Sequence, residues 1–593
     1  MTDRRFSAPD LARRLLAPIA ALLGLVAGLS VLILPSPAPT TADPTTFSAE
    51  RAMASINRLA DEPHSVLRRE AHDRARDDVI GMFANLGYTA NVHSDPLFDF
   101  SIPEDKETFD MLSTEQQAAV KDATADTIVV DVPGKSERTM ALMAHYDSAT
   151  VEGTENDEQS YSSGTSHGAA DDGYGVAAII ETLRAIKAEG RQPENSLKIV
   201  ITDGEEIGLV GARNEMRHHR ADYDNVDLFL NLEARGMSGP AFMFETSPNN
   251  SAVAGYFLSH VKQPVSSSLL PSLYARMPNT TDMAKVIPEG FTVLNIAAIG
   301  EADHYHHATD APRYVNHSTL QHYGDQVLDL TRAWAFDGQT PTLTANGDLH
   351  FFQLWRGMTV SYPATVGTGL GCLAIIAALG VVVVRARSLR WKRVLGTVWG
   401  LIWRAASVSA TAGLVQLGAM AMKWAPETGI GPNPLLPWMF AGGAFIGAGL
   451  TAHFVVRRWK EGLGQETLAA VLLLLAAACV PLMVLLPGAA YVLVLPTLTL
   501  ALTALAPQRV RPVVGALAAF IMVVIFAPTV LLIHELFSLS AVWVTVFFAI
   551  VPVAPLTLVL LQAGSRRTAR GAGTASGAAH NSTPVVGQVA ATV

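Results

Sequence analysis

Short stretches of this chain put carboxylates and imidazoles where chemistry could be done. His145 and Asp147 stand in MAHYDS, Asp171 and Asp172 in GAADDGYG, Glu205 and Glu206 in TDGEEIGL, Glu233 in NLEARG, and His304, His306, His307 and Asp310 in HYHHATD. Taken singly, each has an ordinary explanation: an Asp caps a turn, or a Glu pair lies on a solvated loop. Adjacent carboxylates repel, however, and acidic residues form strands poorly. Several such groups converging in one crevice would be destabilising unless a cation compensated them. With a divalent cation present, one carboxylate of the Glu205–Glu206 pair would bind it while the other handled protons. Imidazole and carboxylate ligands without thiolate suit zinc, with manganese and cobalt as alternatives. The two cysteines, Cys372 and Cys479, lie in apolar runs and offer neither a disulfide framework nor a cysteine-rich metal site.

Such residues need strand ends to hold them. TIVVDVP, TMALMAHYD, SLKIVITDGEE and VDLFLNLEARG read as strands, and GVAAIIETLRAIKAEG carries apolar residues at helical spacing before a closing Gly. Strand, helix, strand in this order predicts an α/β domain with a mixed, largely parallel sheet flanked by helices. In such sheets sites form outside the carboxyl ends of strands, where His145, Asp147, Glu205, Glu206 and Glu233 fall.

The rest of the chain is different in kind. Its 593 residues are 49% hydrophobic and only 16% charged, too apolar for one soluble enzyme and too charged for a purely membrane-embedded protein. Two bodies are expected, one soluble and one in lipid. An apolar run from about 15 to 34 follows Arg4, Arg5, Arg13 and Arg14. Roughly 20 such residues span a bilayer, which favours an uncleaved anchor, with cleavage after TTA, before Asp43, as the alternative. Further runs at about 364–384, 400–422, 435–456, 467–486, 489–506, 513–533 and 541–562 predict a C-terminal multi-span α-helical membrane domain. RARSLRWKR, RRWK, QRVR and SRRTAR make every second connection basic. The positive-inside rule then puts both termini in the cytoplasm and the α/β domain outside it.

The predicted organisation is a cytoplasmic N-terminus and first span (1–35), a Pro/Thr-rich linker (36–47), an extracytoplasmic domain (48–345), a membrane domain of about seven helices (360–563) and a disordered cytoplasmic tail (564–593). The spans hold few ionisable residues, His453, His534 and Glu535 among them. That argues for an anchor or association module, with homo-oligomerisation through the helices, over a proton-coupled transporter. The formal net charge of −10 argues against nucleic acid as a partner.

Taken together and in order, MAHYDS, GAADDGYGVA, TDGEEIGLVGA, NLEARG and YHHATDAP resemble the signature of the co-catalytic di-zinc aminopeptidase family. The layout is similar to its membrane-bound branch, the vacuolar and endoplasmic-reticulum metallopeptidases and their bacterial relatives; DLHFFQLWRGMTVSYP also resembles that branch. The resemblance covers about residues 50–340. It implies a membrane-anchored metallopeptidase, an aminopeptidase acting on extracytoplasmic peptides, with two zinc ions sharing Asp171. His145 and Glu233 would complete one ion, Glu206 and His306 the other. Asp147 would orient His145 through its other ring nitrogen, and Glu205 would be the general base. A cis peptide between Asp171 and Asp172 is implied as well.

The family usually has Thr where this chain has His307, so His307 rivals His306, although the spacing to Asp310 selects His306. Arg235 is a candidate for a substrate carbonyl or carboxylate, or for a salt bridge. The Ala/Gly/Val bias and Arg over Lys fit a high-GC bacterium and so favour a bacterial plasma membrane, with an ER lumen or a vacuole as the alternatives. Competing readings are a catalytically inactive peptidase-fold receptor, a transporter or assembly factor with an accessory domain, and a single-zinc glutaminyl cyclase. Retention of all five ligands and the base favours the peptidase.

Overall fold

Between Asn91 and Gly300 the apolar runs pair into one seven-stranded sheet in a computed structural model that describes residues 8–151, 164–277, 280–338, 342–422, 436–537 and 542–564. The predicted tail and most of the acidic segment before Gly164 lie outside these described residues. The strands are β1 (Asn91–Pro96), β2 (Thr124–Val132), β3 (Ser136–His145), β4 (Asn195–Thr202), β5 (Val226–Ala234), β6 (Ser238–Thr246) and β7 (Val293–Gly300), in the order β1-β2-β4-β3-β5-β7-β6. The four central strands, β4, β3, β5 and β7, run parallel, and the pairings outside them are antiparallel. The sheet is therefore mixed, as expected, with its parallel part confined to the centre.

Helices cover both faces, so the central strands are apolar along their whole length rather than alternating. Met140, Leu142 and Ala144 face one core, and Ala141 and Met143 the other. After an N-terminal helix α1 (Ala8–Leu29), the helices used below are α2 (Ala49–Leu59), α3 (Gly173–Ala188), α4 (Val210–His218), α5 (Leu269–Tyr274) and α6 (His317–Phe336). Residues of α2, α3 and α6 pack on the first face and those of α4 on the second.

A hairpin of β8 (Leu349–Trp355) and β9 (Met358–Pro363) leads into the apolar helices α7 (Ala364–Arg385), α8 (Trp391–Ala421), α9 (Leu436–Lys460), α10 (Gly464–Leu485), α11 (Tyr491–Leu505), α12 (Arg511–Phe537), α13 (Val542–Ile550) and α14 (Val553–Gly564). Seven helical stretches among the described residues are long and apolar enough to cross a membrane, Leu11–Leu32 included. The run expected to span at 489–506 departs from this. Its helix, Tyr491–Leu505, has 15 residues, about 22 Å at 1.5 Å per residue against a hydrocarbon core of about 30 Å. A turn at Pro487–Ala489 and an extended residue at Ala506 close it at both ends.

The N-terminal helix α1 packs along α12 through Gly24 and Gly28. A Cβ added at Gly24 would lie 2.8 Å from the Phe520 carbonyl oxygen, and one at Gly28 3.1 Å from that of Val524. Small residues four apart let the two backbones approach. Sheet and membrane helices also share a core: Phe242, Phe244, Leu270 and Phe352 form one apolar cluster with Tyr491, Ile525 and Phe526.

Candidate metal centre

The parallel strands β3, β4, β5 and β7 end at one edge of the sheet, and each delivers side chains there. His145 is the last residue of β3, and Glu233 is next to last in β5. After β4, Gly204 takes a left-handed φ of 67°, which glycine adopts without cost, and turns Glu205 and Glu206 back toward His145. Asp171 precedes Asp172, the N-cap of α3, whose carboxylate accepts the Gly175 N–H at 3.0 Å. The Asp171–Asp172 peptide bond is cis. Beyond β7, His306 is held at φ 60°, an uncommon conformation for a non-glycine residue that the surrounding structure must enforce.

Asp171 stands between two imidazoles. Its Oδ1 is 3.3 Å from His145 Nε2 and its Oδ2 is 3.3 Å from His306 Nε2. Glu206 Oε2 lies 3.0 Å from the same His306 nitrogen. One ligand atom each from His145, Asp171 and Glu233 falls within 4.8 Å of the others, and so does the set from Asp171, Glu206 and His306. His307 points elsewhere, with Nδ1 2.8 Å from the Tyr305 carbonyl, and His304 lies 3.1 Å from the carbonyl of Thr309. Asp147 is fully buried. Its carbonyl is 3.0 Å and its Oδ1 3.5 Å from His145 Nδ1, while its two carboxylate oxygens accept the N–H groups of Glu205 and Glu206. One residue thus orients the histidine and pins the diglutamate turn.

The donor set fits divalent metal. Asp171 Oδ2, Glu206 Oε1 and both ring nitrogens of His306 are buried without hydrogen-bond partners, a costly state for groups cut off from water. His306 Nε2 is close to two carboxylates yet not aligned for a hydrogen bond with either. Burial raises Glu206 to about 7, with His306 opposing and the Asp171 charge adding to the shift. Burial also drives Glu205 and Glu233 well above the usual carboxylate range. For His306 burial works in the other direction, but the charges of Glu206 and Asp171 outweigh it and lift the imidazole to about 10. Such a crowd of carboxylates retains protons to relieve its own repulsion, and bound cations would relieve it equally well.

Several contributors escaped the sequence reading. Asp310, noticed there only for its spacing, is buried and clasps the loop before α3, accepting N–H groups from Ala170 at 2.7 Å and Asp171 at 3.3 Å. Asp203, just before the diglutamate turn, is bound by His72 at 3.0 Å and by the Tyr146 hydroxyl at 2.9 Å. His72 lies in a polar helical stretch that carries no signal of this. Arg235 lines the pocket beside Glu205 and Glu233, its guanidinium 5.7 Å from the Tyr305 ring centroid, and the rest of the pocket wall is largely apolar, with Phe244, Leu270, Leu273, Tyr274 and Ile299. A further group, His93, Glu215 and His219, sits apart on β1 and the end of α4. Its two imidazoles stack 4.0 Å apart, so their lone pairs run side by side instead of converging.

Residues 127–331 match the family model Peptidase family M28. The vacuolar membrane protease of Lodderomyces elongisporus is 29% identical over 210 residues, 35% of this chain and 20% of that protein. The chain thus matches about a fifth of that curated relative's length. Two solved structures are similar in part. The glutaminyl cyclase of Porphyromonas gingivalis is 18% identical with a TM-score of 0.36, over 48% of this chain and 98% of that one. A zinc aminopeptidase from Bacillus subtilis is 13% identical with a TM-score of 0.39, over 51% and 99%. The segment that carries the whole carboxylate–imidazole cluster is thus the one that resembles peptidase family M28, in a chain with several helices long and apolar enough to cross a membrane.

Proposed function

We propose that this chain is a membrane-embedded metallo-exopeptidase, an aminopeptidase that binds two zinc ions per chain and hydrolyses peptides outside the cytoplasm. The observation that carries the reading is the position of Asp171, one oxygen toward His145 and the other toward His306. With Glu233 beside the first and Glu206 beside the second, one carboxylate is shared between two three-residue half-sites. His145, Asp171, Glu206, Glu233 and His306 are the proposed ligands.

Bound there, the two ions would polarise the scissile carbonyl and ease the ionisation of water. The protein's own work is the movement of protons and the orientation of groups. Glu205 lines the pocket next to Asp171 and Glu233. Its carboxylate accepts the proton of the attacking water and then delivers it to the leaving amine. Asp147 fixes His145 and the diglutamate turn in one frame, and Asp310 fixes the Asp171 loop. The carboxylates on the pocket floor complement the free α-amino group of a peptide.

Orientation is supported by the basic connections. Arg390 pairs with Glu466 at 2.6 Å, Arg458 reaches the Arg393 carbonyl, and Arg385 reaches that of Ala504. The Arg- and Lys-rich turns gather at one end of the bundle, while the Pro487–Ala489 turn at the other end touches the peptidase domain. The positive-inside rule then puts the basic end in the cytoplasm, with a bacterial plasma membrane as the proposed location.

The test is metal analysis of the full chain in detergent, alongside release of amino-terminal residues from amino-acid anilides. Two zincs per chain and chelator-sensitive turnover are expected. A folded protein with no bound metal and no turnover would overturn the reading.

A further inference from the structure

Helix α5 separates two spaces. One side of it, through Leu270, Leu273 and Tyr274, walls the catalytic pocket. Leu269 and the same Leu273 border a second cavity of about 530 Å³, partly open to the outer surface and lined by residues of α8, α9, α10, α11, α12, α13 and α14. Its walls are aliphatic and aromatic, with Leu401, Val471, Ala478 and Phe526 representative. Two threonines in the wall, Thr451 and Thr529, donate their hydroxyls to carbonyls of their own helices, at 2.9 Å and 2.6 Å, and present nothing polar inward. No charged side chain lines it among the described residues.

α5 is held there by the membrane helices themselves. The Ser268 hydroxyl donates to the Gly488 carbonyl at 2.7 Å, Phe352 stacks on Tyr491 with ring centroids 4.8 Å apart, and a Cβ at Gly488 would lie 2.6 Å from the Ser268 carbonyl oxygen. The wall of the peptidase pocket is thus also the lid of a cavity among membrane spans. Walls of this chemistry are satisfied by an aliphatic chain, that of a lipid or that of a substrate.

We propose that the catalytic pocket continues past Leu273 into this cavity, so that the enzyme takes substrates bearing a long aliphatic chain, the scissile end at the carboxylate–imidazole cluster and the chain among the helices. The proposal rests on the peptidase reading above and deepens it by naming a substrate class.

The test is kcat/KM of the full-length protein in one detergent for leucine n-alkylamides with butyl, octyl and dodecyl chains. A fully buried methylene strengthens binding roughly fourfold, and with detergent competing for the chain a rise of roughly tenfold or more from butyl to dodecyl is expected. Ala478→Phe on α10 and, independently, Ala405→Phe on α8 fill the cavity and should reduce that rise to under about twofold. Ile376→Phe, on the outer surface of α7 where Ile376 is 67% exposed, should keep it. Zinc content reports that each variant is folded. A flat series from an enzyme that still cleaves the butyl amide would sink this inference and leave the peptidase reading standing. A rise that persists undiminished in both cavity variants would reflect micelle partitioning and sink it too. No cleavage of any amide together with no bound zinc would remove both readings.

Discussion

The carboxylate of Asp147 accepts the backbone N–H of Glu205 at 3.1 Å, and its second oxygen takes that of Glu206 at 3.2 Å. A group described by its bond to His145 therefore also sets the position of the proposed proton carrier and of a proposed ligand. Asp147→Asn keeps the shape but turns an N–H donor toward one of those amides. We expect a loss of roughly 10–100-fold in zinc affinity or in kcat, measured by competition with a chromogenic chelator and by anilide hydrolysis. An unchanged variant would mean that the turn holds itself.

Glu205 and Asp171 should fail differently. Glu205→Gln is expected to keep its zinc while losing roughly 10²–10⁴ in kcat. Asp171→Ala removes the carboxylate shared by both half-sites and should lose metal and activity together. Metal content measured beside turnover separates the two, and a Glu205→Gln variant with full activity would exclude Glu205 as the proton carrier.

His322 on α6 gives a pH dependence away from the metal centre. Its Nδ1 accepts the Ala241 N–H, its Nε2 lies 3.1 Å from the Gln263 carbonyl, and burial pushes the imidazole from 6.5 down to about 4. The folded protein refuses a proton that the unfolded chain takes up. The stabilisation is therefore complete above pH 6.5 and lost as pH falls toward 4, a change of about 3 kcal/mol for this group. His322→Gln should flatten the difference between unfolding temperatures at pH 7.5 and pH 5 relative to the parent protein. An equal acid loss in both would place the sensitivity elsewhere.

Contact between α1 and α12 can be tested by bulk. Gly24→Val meets the Phe520 backbone, whereas Gly380, on α7, has open space around it. Overpacking at Gly24 should cost roughly 1–3 kcal/mol, read as a lower melting temperature in detergent, and Gly380→Val should leave it unchanged. A Gly24 variant as stable as its parent would show that α1 is not part of the mature bundle.

Much of the centre was legible because its residues sit at fixed places in a local pattern. β3, β4 and β5 are buried on both faces, so their apolar runs stand out, and the polar residue that ends each run marks a strand end. β1 escaped because its sequence, NVHSDP, is a largely exposed edge with no apolar period; only its pairing with β2 makes it a strand. The helix in the run at 489–506 is shorter than the run for a related reason. The apolar run reaches from Ala489, in the turn before the helix, to Ala506, where the backbone leaves it. His306 was preferred to His307 by spacing, and the structure puts His306 in the cluster. Asp310, Asp203 and the pocket wall on α5 were out of reach, because their partners lie tens to hundreds of residues away and no local period records them.

Phe242 and Phe244 of the sheet belong to the same apolar cluster as Tyr491, Ile525 and Phe526 of the helices. The half that holds the carboxylate–imidazole cluster is therefore not cargo on a tether. A truncation between the two would leave that cluster open to water on one side and to lipid on the other, and neither fragment would keep its own half of the packing. Heat or harsh detergent should dismantle the two halves in one cooperative step, because Leu270 and its neighbours belong to both.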